Sequence, residues 1–372
     1  VIGNNKRFLR KTDAYALGIV LRGLFRSGKP FSRLMNGMRF LLGRHEEHVA
    51  HHPLEYQLDI TYRCNLSCNT CFLRRQDYPM DGRNDMTLED IRRILKKADG
   101  AVAILLGGGE PLLHPDVGRM ITMIVGQGFY CSLSTNGLLL IERGEEIVQA
   151  GLHSANVSLD GHDAETYEAV RNAPAIIWEK LLKSIQTFRR MLDNQGLRKF
   201  QFRCNFTLTR NTVSHLKEMI RFAEEMRFDL IYFNNINSFG EPGLTLYDDD
   251  EEVQEIMQDV VRTCLPASQV YLPVLVNRSS RGFCRDPFAL TILTSAGLQG
   301  RCCFDLPKKE NGNFFIDETP FNSYSYLSLR KVFLDEGSSL PLQCRHCYRR
   351  FDRSGEGASQ IHFDVQQSRW LA

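Results

Sequence analysis

Three cysteines, Cys64, Cys68 and Cys71, fall within the eight-residue run CNLSCNTC. Thiolates at such spacing bind soft metal centres. Three of them on one loop match three corners of a cubane iron–sulfur cluster and leave one iron open to a further ligand. Zinc is the alternative, although no fourth ligand stands nearby at zinc-like spacing. A second set lies far downstream: Cys284, Cys302 with Cys303 beside it, then Cys344 and Cys347. Cys131, Cys204 and Cys264 are scattered. A secreted disulfide scaffold is short and cysteine-dense, and this chain of 372 residues is neither. The thiols therefore read as metal or cluster ligands in a reducing compartment, and a cytoplasmic location is expected.

The elements that position these groups follow from periodicity. From residue 55, strand-like and helix-like patterns alternate. Candidate strands are Glu55–Ile60, Ala101–Leu106, Phe129–Ser134, Ser154–Leu159, Phe200–Leu208 and Asp229–Asn234. Between them run apolar stripes at helical spacing, such as Leu88, Ile91, Ile94 and Leu95 behind an N-cap at Thr87. Six such units predict a parallel sheet, doubly wound or curled toward a barrel, with its site at the C-terminal ends of the strands. The first cysteine loop directly follows the first strand.

Strand alternation adds a second clue. Cys131 and Leu133 oppose Ser132, Ser134 and Asn136; Ala155, Val157 and Leu159 oppose Asn156, Ser158 and Asp160; Phe202, Cys204 and Phe206 oppose Arg203, Asn205 and Thr207. Buried unpaired polar groups are costly, so three polar faces predict a shared cavity that holds a polar ligand. On this reading Cys204 is a core residue, and Arg203 and Asn205 are candidate catalytic side chains. After Cys264 the rhythm changes to a predicted hairpin, Phe288–Thr294 and Leu298–Phe304, and a short helix near Leu327–Leu334.

Composition is that of an ordinary globular protein, with 43% apolar and 24% charged residues. The net charge of +2 conceals an asymmetry: residues 1–47 hold ten Lys/Arg against three Asp/Glu, a net of +7. This basic arm reads as two amphipathic helices divided by Gly28–Pro30. It either packs on the main body or meets an anionic partner, with a membrane surface as one candidate. The charge-free stretch Met120–Ile141 contains Gly126, Gly128 and Gly137 and reads as helix, turn and strand, not as a membrane span. No RNA-binding module is legible, so a nucleic-acid partner is not expected. The histidines at 45, 48, 51 and 52 read as a solvated linker.

The order of motifs resembles the radical S-adenosylmethionine (SAM) superfamily. Its C-x3-C-x2-C signature follows the first strand. GGGEPLLHPD follows the second, STNG the third, and SLDG ends the fourth. The resemblance implies that Gly108, Gly109 and Glu110 hold the SAM amino group, and that Ser134 and Asn136 contact ribose and methionine. It further implies that Ser158 and Asp160 line the site and Arg171 meets the SAM carboxylate. Thr70 departs from the aromatic residue that many members carry before the third cysteine, which weakens an adenine-stacking role there. The implied fold is α/β, a partial (β/α)6 TIM-like barrel with a small α+β C-terminal iron–sulfur domain and a basic N-terminal helical arm. The boundaries fall at 1–53, 54–265 and 266–372.

The C-terminal part resembles the twitch form of a SPASM-type extension. That resemblance implies Cys284, Cys302, Cys344 and Cys347 as ligands of one auxiliary 4Fe–4S cluster. Two 4Fe–4S clusters and SAM are thus the expected cofactors, and the expected chemistry is hydrogen abstraction by a 5′-deoxyadenosyl radical. An auxiliary cluster suits a net oxidation, either dehydrogenation or C–C or C–S bond formation, on a small metabolite or peptide. Flavodoxin or ferredoxin would be the electron donor. The alternatives are an epimerase with Cys303 as hydrogen donor and a lipid-modifying enzyme docked by its arm.

Overall fold

The computed structural model describes residues 30–42, 45–71, 73, 84–197, 199–238, 242–264, 266, 268–302 and 304–351. Cys303 and the first of the two arm helices lie outside the described residues. Six parallel strands follow one another in sheet order: β1 (Glu55–Thr61), β2 (Ala103–Gly108), β3 (Tyr130–Thr135), β4 (Ser154–Ser158), β5 (Gln201–Leu208) and β6 (Leu230–Asn235). Helices α2 (Leu88–Lys97), α3 (Val117–Gly126), α4 (Leu140–Gln149), α5 (Ala164–Arg171), α6 (Ala175–Asn194) and α7 (Leu216–Glu225) connect them. Helix α1 (Pro30–Leu42) precedes the sheet, and α8 (Glu251–Thr263) leads to the short parallel edge strand β7 (Gln269–Tyr271).

The apolar face of each strand packs under the helices. Cys131, Leu133, Ala155, Val157, Phe202, Cys204 and Phe206 are fully buried beside Leu181, Ile185 and Phe188 of α6. Phe202 lies between Phe188 and Phe228, with ring centroids 5.1 and 4.5 Å away. Cys204 is therefore a core thiol, as its parity predicts. Local signals also hold: Thr87 caps α2 through Asp90 N–H at 3.1 Å, and the Asp90 carboxylate returns the bond to Thr87 N–H at 2.8 Å.

The predicted hairpin forms, as β8 (Leu290–Leu293) and β9 (Leu298–Gly300), followed by β10 (Lys308–Asn313). It does not make a sheet of its own. β8 pairs in parallel with β1, from Glu55 opposite Leu290 to Leu58 opposite Leu293, and the whole sheet runs β10-β9-β8-β1-β2-β3-β4-β5-β6-β7. Among the described residues its end strands, β10 and β7, do not pair, so the sheet is not closed.

The histidine segment departs from the solvated linker expected of it. His48 and His52 are exposed, but His45 stacks on Phe283 and Phe288 at 5.2 and 4.9 Å, and His51 Nε2 bonds Phe288 O at 2.7 Å. Burial lowers the pKa of both rings. Arg330 locks the same seam. It is fully buried, and its guanidinium donates to the carbonyls of Pro287, Glu47 and Phe321 and to Asn322 Oδ1, over the Phe321 ring at 4.4 Å. The polarity of the sequence suggested a linker; aromatic partners such as Phe288, 237 residues beyond His51, made it a packed seam.

Candidate functional site

The cysteine loop leaves β1 at Thr61 and meets the end of β2 immediately. Gly109 N–H donates to Thr61 O at 2.7 Å and Glu110 N–H to Arg63 O at 2.8 Å. This approach requires glycine. A Cβ on Gly109 would lie 2.3 Å from Arg63 O, and Gly108 has φ +103 with Thr61 O 2.5 Å from where its Cβ would sit. The glycines of the GGE run thus let strand and loop touch.

Glu110 is fully buried at the next position. Its carboxylate accepts from Leu112 N–H (3.0 Å), Thr135 Oγ1 (2.7 Å) and Asn136 N–H (2.7 Å). It clamps the end of β2 to the end of β3, and one lone pair of Oε2 remains. Burial pushes the carboxyl pKa up, and these donors oppose that shift. Asn136 carries the connection onward: its Nδ2 donates to Asn65 Oδ1, inside the cysteine loop, at 2.6 Å.

The other side of the loop is held by the end of α5. Asn69 N–H donates to Val170 O (3.1 Å) and Asn69 Nδ2 to Ala169 O (3.0 Å), while Asn172 Nδ2 reaches Ser67. Asn172 takes the left-handed conformation that ends the helix, φ 51. Arg171 sits between. Its Nη2 pairs with Asp160 at 2.7 Å and its Nη1 donates to Cys68 Sγ at 3.5 Å. Asp160, itself left-handed at φ 58, also accepts from Thr207 N–H at 2.5 Å. Arg171 is therefore engaged with Asp160 and a cysteine sulfur at the position where the resemblance puts a SAM carboxylate contact. Asn65, Asn69 and Asn172 were missed by sequence reasoning; only the helix-ending asparagine carried a local signal.

The polar strand faces line one interior. Register places Ser134 opposite Asn156, Asn156 opposite Arg203, Ser158 opposite Asn205 and Thr207 opposite Asn234. Asn205 Oδ1 accepts from Asn234 Nδ2. Arg203 lies lower, bonded to Tyr130 Oη at 2.9 Å and to Gln201. β1 adds Gln57 and Asp59 to this interior; the alternation in EYQLDIT carried that signal unread. Asn156 Oδ1 is buried on the same face without a hydrogen-bond partner, as suits an acceptor that meets a polar ligand.

None of the three cysteines of the loop is in a disulfide, and Cys64 is exposed at the mouth. Burial first, then the negative charges of Glu110, Cys68 and Cys71, raises its pKa. Among the described residues no three His, Cys, Asp or Glu side chains converge tightly enough for a single metal ion. Three thiols on one short loop, with Arg171 donating to Cys68 Sγ, are a donor set that could hold three irons of a cluster and leave one open.

In the C-terminal region Cys284, Cys302, Cys344 and Cys347 line one pocket. Three segments bring them together: the turn before α9 (Asp286–Ala289), the chain after β9, and α11 (Leu342–Arg345), which follows α10 (Tyr324–Leu334). Burial pushes the Cys344 thiol up to about 11 and Cys347 up to about 12. Buried Arg350 lies near enough to Cys347, Cys344 and Cys284 to favour their thiolates, and Arg349 pairs with Asp286 at 2.7 Å in the pocket wall. Four thiols in one pocket could hold a second cluster; Arg350 favours their thiolates, whereas burial and the carboxylates of Asp286 and Asp305 oppose them.

Six parallel βα units with a three-cysteine loop after the first, a glycine-rich turn after the second and a polar interior define a radical SAM architecture. Residues 58–223 match the model of the radical SAM superfamily, and the chain carries a radical SAM domain there. Among curated proteins, AdoMet-dependent heme synthase of Oleidesulfovibrio alaskensis is 26% identical over 45% of this chain and 42% of its own length. Probable GTP 3′,8-cyclase of Metallosphaera sedula is 26% identical over 56% of this chain and 64% of its own. The chain thus matches less than two thirds of these relatives. Among solved structures, SuiB of Streptococcus suis bound to S-adenosylmethionine shares the fold, with a TM-score of 0.59 at 18% identity over 86% of this chain and 78% of that one.

Proposed function

We propose that this protein is a radical SAM enzyme with two 4Fe–4S clusters that carries out a net oxidation, a dehydrogenation or a C–C or C–S bond formation, on a peptide or small metabolite. The observation that carries the reading is the meeting of Cys284, Cys302, Cys344 and Cys347 in one pocket beside Arg350. An isomerisation needs no second electron acceptor, whereas an oxidation must dispose of an electron. SuiB has been solved with its precursor peptide SuiA, which supports the peptide branch.

When bound, the first cluster and SAM supply a carbon radical able to take a hydrogen atom from an unactivated C–H bond. The chain's own residues position and shield. Cys64, Cys68 and Cys71 would hold the first cluster; Asn65, Asn69 and Asn172 fix their loop. Gly108, Gly109, Glu110, Ser134, Asn136, Ser158 and Asp160 would bound the SAM site, with the buried Asn156 Oδ1 as an acceptor in its wall. Arg203 and Asn205 would face the substrate from β5. A reduced flavodoxin or ferredoxin would deliver the electron.

Anaerobic reconstitution tests the assignment. About eight iron and eight sulfide are expected per chain. Changing Cys64, Cys68 and Cys71 to Ala should remove half of both and all SAM cleavage. The double change Cys344→Ala and Cys347→Ala should remove the other half while SAM cleavage to 5′-deoxyadenosine persists. Stoichiometric zinc without sulfide in the C-terminal site would sink the oxidative reading.

A further inference from the structure

The C-terminal half of α5 is turned toward the cysteine loop. Its carbonyls at Ala169 and Val170 accept from Asn69, Asn172 reaches Ser67, and Arg171 Nη1 donates to Cys68 Sγ. One helical turn before Arg171, on the same side of the helix, stands Tyr167. It is fully buried, and its Oη has no hydrogen-bond partner. Arg171 Nε, in the same corner, is likewise buried without one.

The Tyr167 ring is held in place. It packs on Trp178 of α6, with ring centroids 5.1 Å apart. Its backbone is held as well, because a Cβ on Gly161 would lie 2.5 Å from Tyr167 N, so helix and turn touch. A phenol oxygen lies on the axis of its ring. Holding the ring therefore fixes the oxygen and leaves only the direction of the O–H to choose. A buried hydroxyl without a partner is costly, and such an exception marks a place where another group comes in.

The neighbours say which group. Burial first pushes the phenol up to about 12, and the charged groups close enough to act on it are Arg171, Cys68, Asp160 and Cys64. Arg171 is a cation and offers no acceptor. Asp160 is engaged by Arg171 and by Thr207 N–H. The sulfurs of the first cysteine loop remain, and an iron–sulfur cluster bound by thiolates presents acceptors rich in negative charge there. We propose that Tyr167 Oη–H donates to sulfur of the cluster that Cys64, Cys68 and Cys71 would hold, and is a positioning residue that raises its reduction potential. The positive end of the O–H favours the reduced cluster, which carries one more negative charge. This inference rests on the first cluster of the proposed function.

Tyr167→Phe tests it, because the change keeps the ring against Trp178 and removes only the O–H. That hydroxyl has no partner within the protein, so the fold should survive its loss, and reconstituted protein should hold as much iron and sulfide as the parent. Redox titration read by electron paramagnetic resonance follows the first cluster, whose signal is identified by its response to added SAM. One-electron reduction should become about threefold less favourable, which is a fall of about 28 mV. A coupling between the reduced cluster and an exchangeable proton should vanish in the variant. An unchanged potential in fully loaded Tyr167→Phe protein would overturn the proposal. So would a lower potential with every exchangeable coupling retained, since the effect would then come through packing. Weaker SAM binding at unchanged potential would also overturn it, by giving the hydroxyl to SAM. If the parent loads no more iron and sulfide than protein in which Cys64, Cys68 and Cys71 are changed to Ala, the proposed function itself falls, and this inference with it.

Discussion

Arg171 links the first cluster site to the barrel with two short contacts, one to Asp160 and one to Cys68 Sγ. Hydrogen bonds from cationic donors to ligating sulfurs stabilise the reduced, more negative cluster. The hypothesis is that Arg171 positions Cys68 and sets the cluster potential. Arg171→Gln should keep iron content near that of the parent and lower the potential by about 60 mV, a tenfold change in a one-electron equilibrium. An unchanged potential in protein with full iron would return Arg171 to a purely structural role. Glu110 tests a different expectation. Its three donors already tie β2 to β3, and one lone pair is left for a SAM ammonium. A charged hydrogen bond is worth about 1.5–3 kcal/mol, so Glu110→Gln should weaken SAM binding by at least about tenfold with iron unaltered. Loss of thermal stability with SAM affinity unchanged would leave only the clamp.

The turn that joins β2 to the cysteine loop is the element on which the first site depends. Gly109→Ala would push a methyl carbon to 2.3 Å from Arg63 O, so the loop must move. Strain of this kind costs about 1–3 kcal/mol. The expected result is a folded protein, by circular dichroism, that retains markedly less iron after desalting, while Gly126→Ala, with no atom within 4 Å, does not. Equal iron retention by the two variants would show that the close approach is dispensable. The same elements show why local patterns were readable. The α2 capping box, the period-two alternation of β3, β4 and β5 and the burial of Cys131 and Cys204 all depend on neighbours in sequence, and each formed as read.

At the scale of the molecule, the hairpin β8–β9 and the barrel strand β1 share one sheet. A chain ended at residue 265 would leave β1 as an open edge and strip the partners from Tyr56 and Leu58, which are buried in the intact protein. Such a truncation should aggregate or fail to give a cooperative unfolding transition; a soluble, cooperatively folding product would show that the barrel stands without its C-terminal region. What the sequence alone determined was the order of units, the strand faces and the two sets of thiols, because each rests on spacing along the chain. Three other features were decided only by the tertiary structure. Cys284, Cys302, Cys344 and Cys347 meet only because three distant segments converge. His45 and His51 are partly buried only because Phe283 and Phe288 lie against them. Arg171 turns to Cys68 because α5 ends against the cysteine loop. Periodicity states which face a side chain takes; it holds no information about which distant surface will cover that face, and that is settled by packing.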